Sequence, residues 1–162
     1  MKRLLVMRHA KSSWEDPGLS DFDRPLNSRG RIAGPFMGRL MAEQSILPEY
    51  IVCSPAKRAV ETASLVRESS AVKAEITLDE RIYEASPQAL RQVVSEMPEG
   101  CHSVLLVGHN PGMEGFIRFL TGELQSMPTA ALGVIDLDSQ SCGRLIRIIR
   151  PKDEMKVIEK GG

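Results

Sequence analysis

Apolar positions along the chain alternate between two patterns. Residues 4–7, Leu4-Leu5-Val6-Met7, form a short unbroken apolar run bounded by charged side chains, which predicts a buried strand. The stretch 11–28 is polar and rich in Pro, Gly and Asp, which predicts a loop. Such a loop is long for a compact domain, and long loops often carry function. Ile32, Phe36, Leu40 and Met41 then recur at helical spacing, with Gly34, Pro35 and Gly38 weakening that helix or delaying its start. Residues 50–53 read as a second strand, and Ala56, Ala59, Val60 and Ala63 follow at i, i+3, i+4, i+7. A third strand is expected at 75–78 and a helix through Leu90, Val93, Val94 and Met97. Residues 103–107 predict a strand, and Met113, Phe116, Ile117 and Leu120 another amphipathic helix. The runs 130–137 and 145–149 close the series as strands, and the charged tail from Pro151 reads as an edge element or a frayed end. Alternating strands and helices predict an α/β three-layer sandwich with a mostly parallel central sheet flanked by helices.

Composition narrows the function classes. The 162 residues fit one domain spanning 1–162, large enough to bury a core without disulfides or metal staples. Lys+Arg and Asp+Glu both number 21, so the chain lacks the basic excess of a nucleic-acid binder. Residues 1–60 hold ten basic and six acidic side chains, so an anion site is expected to draw on this part. Cys53, Cys101 and Cys142 are widely spaced and odd in number, which argues against a disulfide framework or a structural zinc site. The opening apolar run is too short for a secretory signal, and no stretch approaches the ~20 apolar residues of a membrane span. A cytoplasmic protein without membrane partners is expected.

Three junctions concentrate the chemistry. Arg8-His9-Ala10 ends the first predicted strand. Ser54-Pro55-Ala56-Lys57-Arg58 follows the second, with Ser54 expected as N-cap and Pro55 at the first helical position. Gly108-His109-Asn110-Pro111 follows the 103–107 strand, with Asn110 and Pro111 in the same roles. In open parallel sheets ligands bind outside the carboxyl ends of the strands, where helix N-termini also favour anions. Arginine forks match phosphate oxygens, and histidine can serve as a covalent nucleophile. Taken singly, each residue has an ordinary structural reading. Their convergence on three strand ends favours phosphate chemistry. No Walker loop is present, and His102, in a polar stretch, is expected to be structural.

The same residues resemble the histidine phosphatase superfamily, which includes the phosphoglycerate mutases. Arg8-His9-Ala10 is similar to its R-H-G/A signature. Residues 54–63, Ser54-Pro55-Ala56-Lys57-Arg58-Ala59-Val60-Glu61-Thr62-Ala63, resemble its S-x-x-x-R-A-x-x-T-A element, and Gly108-His109-Asn110 its second-histidine element. The strings 8–14 and 23–30, the latter Asp23-Arg24-Pro25-Leu26-Asn27-Ser28-Arg29-Gly30, resemble the short, SixA-type phosphohistidine phosphatase branch. The resemblance runs from about residue 3 to residue 135.

It implies a phosphoglycerate mutase-like fold, with His9 as nucleophile forming a phosphohistidine and with Arg8, Arg58 and His109 holding phosphoryl oxygens. Arg24 would add a further phosphate contact. Glu80 matches the superfamily's general acid best, with Glu84 second, and Glu84 stands where a glycine usually follows this stretch. No cofactor and no metal are implied. The expected substrate is a protein phosphohistidine, because the chain lacks insertions for a deep specificity cap. The alternatives are a small-metabolite phosphomonoesterase and a non-catalytic phosphoprotein-binding module. A metal hydrolase using His9, His102 and His109 is disfavoured by their spacing.

Overall fold

A computed structural model describes residues 2–155 of the chain. Six strands form one sheet: β1 (Lys2–Arg8), β2 (Tyr50–Cys53), β3 (Ile76–Leu78), β4 (Ser103–Gly108), β5 (Leu132–Leu137) and β6 (Gly143–Ile149). Their order across the sheet is β3-β2-β4-β1-β5-β6. The first four are mutually parallel, whereas β5 runs antiparallel to β1, and β6 to β5. Four helices cover the faces: α1 (Ser28–Glu43), α2 (Lys57–Ser70), α3 (Pro87–Ser95) and α4 (Gly112–Thr121).

The continuous apolar runs of β1 and β4 are explained by their central positions. Leu4 to Met7 are fully buried, and alternate side chains enter opposite cores. Leu5, Met7, Ile51, Leu105 and Val107 pack with Met37, Met41, Ala59 and Ala63 of α1 and α2. Leu4, Val6, Val52, Val104 and Leu106 pack with Leu90, Val93, Phe116 and Ile117 of α3 and α4. The three-layer α/β expectation is met. Among the described residues, no helix is long and apolar enough to cross a membrane.

Three local expectations are corrected. Helix α1 is not delayed by its glycines: it starts at Ser28, capped by the Asn27 side chain, which accepts from Gly30 N–H at 2.9 Å. Its buried face includes Gly30, Gly34 and Gly38, while Ile32 is 64% exposed. The physical reason is close helix approach. A Cβ at Gly38 would stand 1.8 Å from Ser69 Oγ on α2, and one at Gly30 would stand 2.3 Å from the Lys11 carbonyl oxygen. Second, α2 begins at Lys57 with Ala56 as its cap, and α4 at Gly112 with Pro111 as its cap, so neither Ser54 nor Asn110 is the terminal residue expected. Third, residues 151–155 of the tail are helical; the remainder lies outside the described residues.

Candidate active site

Strand register brings the three junctions level. Arg8 pairs with Gly108 across β1 and β4, and Cys53 with Val107 across β2 and β4. The next backbone groups continue the match: His9 N–H donates to Gly108 O at 2.9 Å, and Ser54 N–H to Val107 O at 3.0 Å. His9, Ser54 and His109 therefore emerge side by side from three adjacent strands. The connection after β2 crosses to the α1/α2 face and that after β4 to the α3/α4 face, which opens a crevice between them.

Helix α2 fastens this edge. Thr62 Oγ1 accepts from Ala10 N–H at 2.9 Å and donates to Arg58 O at 2.7 Å, so the helix holds the backbone next to His9. Glu61 accepts from Leu26 N–H at 2.9 Å and anchors the end of the loop after β1.

His9 is 7% exposed. Its Nδ1 lies 2.6 Å from the Ala10 carbonyl oxygen, which can only accept, so Nδ1 carries the proton. The lone pair is left on Nε2, where Arg58 Nε–H approaches at 3.4 Å. Burial, reinforced by the charges of Arg58, Arg8 and Arg24, pushes the His9 pKa down to about 4 against the opposing Ala10 bond. His109 is neutral for similar reasons: burial first, then His9 and Arg58, bring it to about 3. The two rings lie 5.1 Å apart. His109 Nε2 is 2.7 Å from Ser54 Oγ, and its Nδ1 is buried with no hydrogen-bond partner among the described residues.

Arg8, His9, Arg24, Arg58 and His109 all line one cavity of about 340 Å³. It meets a second lobe of about 480 Å³, which shares Arg58 and His109 and adds Asp21, Tyr83 and Glu84. Arg8 donates to Met127 O at 3.1 Å. Arg24 is stacked over the Trp14 ring at 3.4 Å and donates to Ser12 Oγ at 2.9 Å.

Glu80 is not among the residues lining either lobe. It opens a single 3-10 turn, Glu80–Ile82, and is exposed. Glu84 lines the second lobe, with a left-handed backbone at φ 56°. His102 is exposed at the start of β4, roughly 20 Å from His109 at ~3.3 Å of rise per residue. The three histidines are therefore not assembled together. Burial pushes the Cys53 thiol well above its ordinary pKa, so it offers no thiolate.

Sequence reasoning missed Asp21 and Tyr83. Asp21 accepts from Arg58 at 2.9 Å, from two Arg24 nitrogens at 3.2 and 3.3 Å, and from Tyr83 OH at 2.6 Å. The Tyr83 bond and these arginines hold its carboxyl down to about 2. The i, i+3 spacing of Asp21 and Arg24 was the one available sign.

The histidine phosphatase superfamily (branch 1) matches residues 4–97, which carry the first two junctions. The chain belongs to this superfamily. Among members of known structure, a provisionally named phosphohistidine phosphatase SixA from Agrobacterium tumefaciens is 30% identical. It superposes with a TM-score of 0.84 over 93% of this chain and 98% of that one. A protein histidine phosphatase SixA complexed with tungstate shares the fold, with a TM-score of 0.87, 22% identity, and coverage of 94% and 99%. The fold is thus the phosphoglycerate mutase-like one expected of histidine phosphatases. An uncharacterized protein of Mycobacterium tuberculosis strain H37Rv is 36% identical over 106 residues, 65% of this chain. The match covers 63% of that relative, a little under two thirds of its length.

Proposed function

We propose that this histidine phosphatase removes the phosphoryl group from protein phosphohistidine without a metal, through a covalent intermediate on His9. The observation that carries the reading is the His9 ring. Its Nδ1–H is tied to Ala10 O, and its neutral Nε2 lone pair lies in a cavity lined by three arginines.

In the first step His9 Nε2 forms a bond to phosphorus as the bond from phosphorus to the substrate nitrogen breaks. The departing imidazole takes its proton from solvent. Arg8, Arg24, Arg58 and His109 stabilise the phosphoryl oxygens, the dominant contribution in such transfers. In the second step water attacks phosphorus, the bond to His9 breaks, and the water's proton leaves with the products. A histidine ring departs readily without a strong acid; of the two acid candidates Glu80 lies outside both lobes, and Glu84, which lines the second, is the carboxyl an alkyl phosphate would need.

The test is to trap the intermediate. Purified protein is mixed with an aryl phosphate in EDTA, quenched without acid and digested for mass spectrometry. Phosphate is expected on the peptide that contains His9. Steady turnover with no phosphate on that peptide in a rapid quench, or turnover lost to EDTA, would overturn the mechanism. Efficient turnover of sugar phosphates but not of phosphohistidine would favour the small-metabolite phosphomonoesterase. Binding of phosphohistidine protein with no turnover would favour the binding module.

A further inference from the structure

Ser54 is fully buried, and its hydroxyl has two neighbours to satisfy. Ala56 N–H lies 3.3 Å from Oγ and can only donate, so Oγ accepts there. The hydroxyl proton needs an acceptor elsewhere. The other polar partner of Oγ among the described residues is His109 Nε2 at 2.7 Å. If Nε2 carried the ring proton, it would point at an oxygen whose own proton had no acceptor. That form would strand both the hydroxyl proton and the Nδ1 lone pair, whereas donation by Ser54 leaves only Nδ1–H without a partner among the described residues, and buried unsatisfied groups are rare in native structures. The consistent arrangement has Ser54 O–H donating to Nε2.

We propose that Ser54 is a positioning residue that fixes His109 as the Nδ1–H tautomer and so supplies the site with a neutral hydrogen-bond donor. The second observation is independent of Ser54. Nδ1 of this same ring is buried without a partner, in a ring 5.1 Å from that of His9. A phosphoryl oxygen held in the cavity that both rings line would supply this N–H with the acceptor it lacks. A protonated imidazole donates from both nitrogens whatever its surroundings, but a neutral one donates from a single nitrogen, so its tautomer must be set. Ser54 therefore stands outside α2 as a tie between β2 and β4, which explains why it does not cap the helix. The donor role rests on the phosphatase reading above, whereas the tautomer does not.

The test reads the ring directly. Long-range proton–nitrogen NMR of the free protein at neutral pH, with His109 assigned by substitution, is expected to show Nδ1 protonated and Nε2 bare. In Ser54→Ala the ring is expected to shift toward the Nε2–H form or to a mixture. Turnover of an aryl phosphate should fall by about 10- to 100-fold, by analogy with the loss of a hydrogen-bond partner behind a metal-bound histidine. Ser54→Thr, which restores the hydroxyl, should recover the Nδ1–H signature. An Nε2–H ring in the wild type would overturn the proposal whatever the variants do. An unchanged tautomer in folded Ser54→Ala would also overturn it. A wild type with the Nδ1–H ring and no turnover on any phosphate would sink the phosphatase reading and leave the tautomer assignment standing.

Discussion

The ends of β1 and β4 lie side by side, and each delivers a neutral histidine to the same cavity, His9 buried and His109 half-buried. What they deliver differs. At the end of β1, the proton of His9 is tied to the carbonyl of the next residue, and a lone pair faces the site. At the end of β4, Nε2 of His109 lies against a hydroxyl from a neighbouring strand, and the tautomer proposed above would leave the Nδ1 proton available. The first orientation is set by backbone one residue away and no side-chain substitution removes its partner. The second depends on a single side chain across the sheet. In the phosphatase proposed above, one fold would thus make a nucleophile and a donor from the same ring by choosing which nitrogen it ties down.

The largest effect should come from breaking the first member of this pair. His9→Ala is expected to lower turnover by about 10⁴-fold or more, the scale of losing a nucleophile, while folding is kept. His109→Ala should be severely impaired yet retain measurable phosphate affinity. Steady-state kinetics and phosphate titration check both. Near-normal hydrolysis by His9→Ala would remove the distinction between the two rings.

A smaller effect tests whether the rings are neutral. An unfolded histidine takes up a proton near pH 6.5, whereas folded His9 resists protonation to about pH 4. Between these values the unfolded chain binds more protons. Stability is therefore fully present above pH 6.5 and declines as pH falls toward 4. The His9 contribution to this decline is roughly 3 kcal/mol. Thermal melts across this window should show the decline, and His9→Ala should flatten part of it, with His109 supplying the rest. A melting temperature that stays level in the wild type would mean the rings are not held neutral.

The smallest effect concerns Glu80, which belongs to neither lobe. Glu80→Gln should cost less than ~10-fold on phosphohistidine, below the usual range for a general acid. Paired kinetics on phosphohistidine and an alkyl phosphate are the measurement. Efficient alkyl hydrolysis that collapses in Glu80→Gln would give the acid role to this residue.

Residues attached directly to strand ends were the legible part of this site. Arg8, His9 and His109 could be placed from apolar runs, because strand register brings consecutive positions to one edge, and Arg58 from the first turn of the helix that follows β2. Asp21 and Tyr83 could not, since one opens a short 3-10 turn within the long loop after β1 and the other follows a second such turn. Their 2.6 Å contact spans 62 residues and depends on how two connections fold back over the sheet. The face of α1 was misread for a related reason. Hydrophobic periodicity assumes that large side chains mark the core, but here glycines let α1 approach α2, and Ile32 turned outward. Ser54 was read as a cap because serine before a helix usually is one; its hydroxyl was needed across the sheet instead.

The carboxylate of Asp21 also bears on product release. Several cationic groups around one phosphate favour retention, and a phosphatase that holds its product stalls. Asp21 already accepts hydrogen bonds from Arg24 and Arg58. In the phosphatase proposed above, an arriving phosphoryl group exchanges one set of N–H···O bonds for another. As inorganic phosphate departs, the same carboxylate can re-form its bonds to the arginines. Binding that stabilises every phosphate species equally does not speed the chemistry. In that phosphatase, an anion built into the clamp would weaken the uniform grip and let the cavity clear between turnovers.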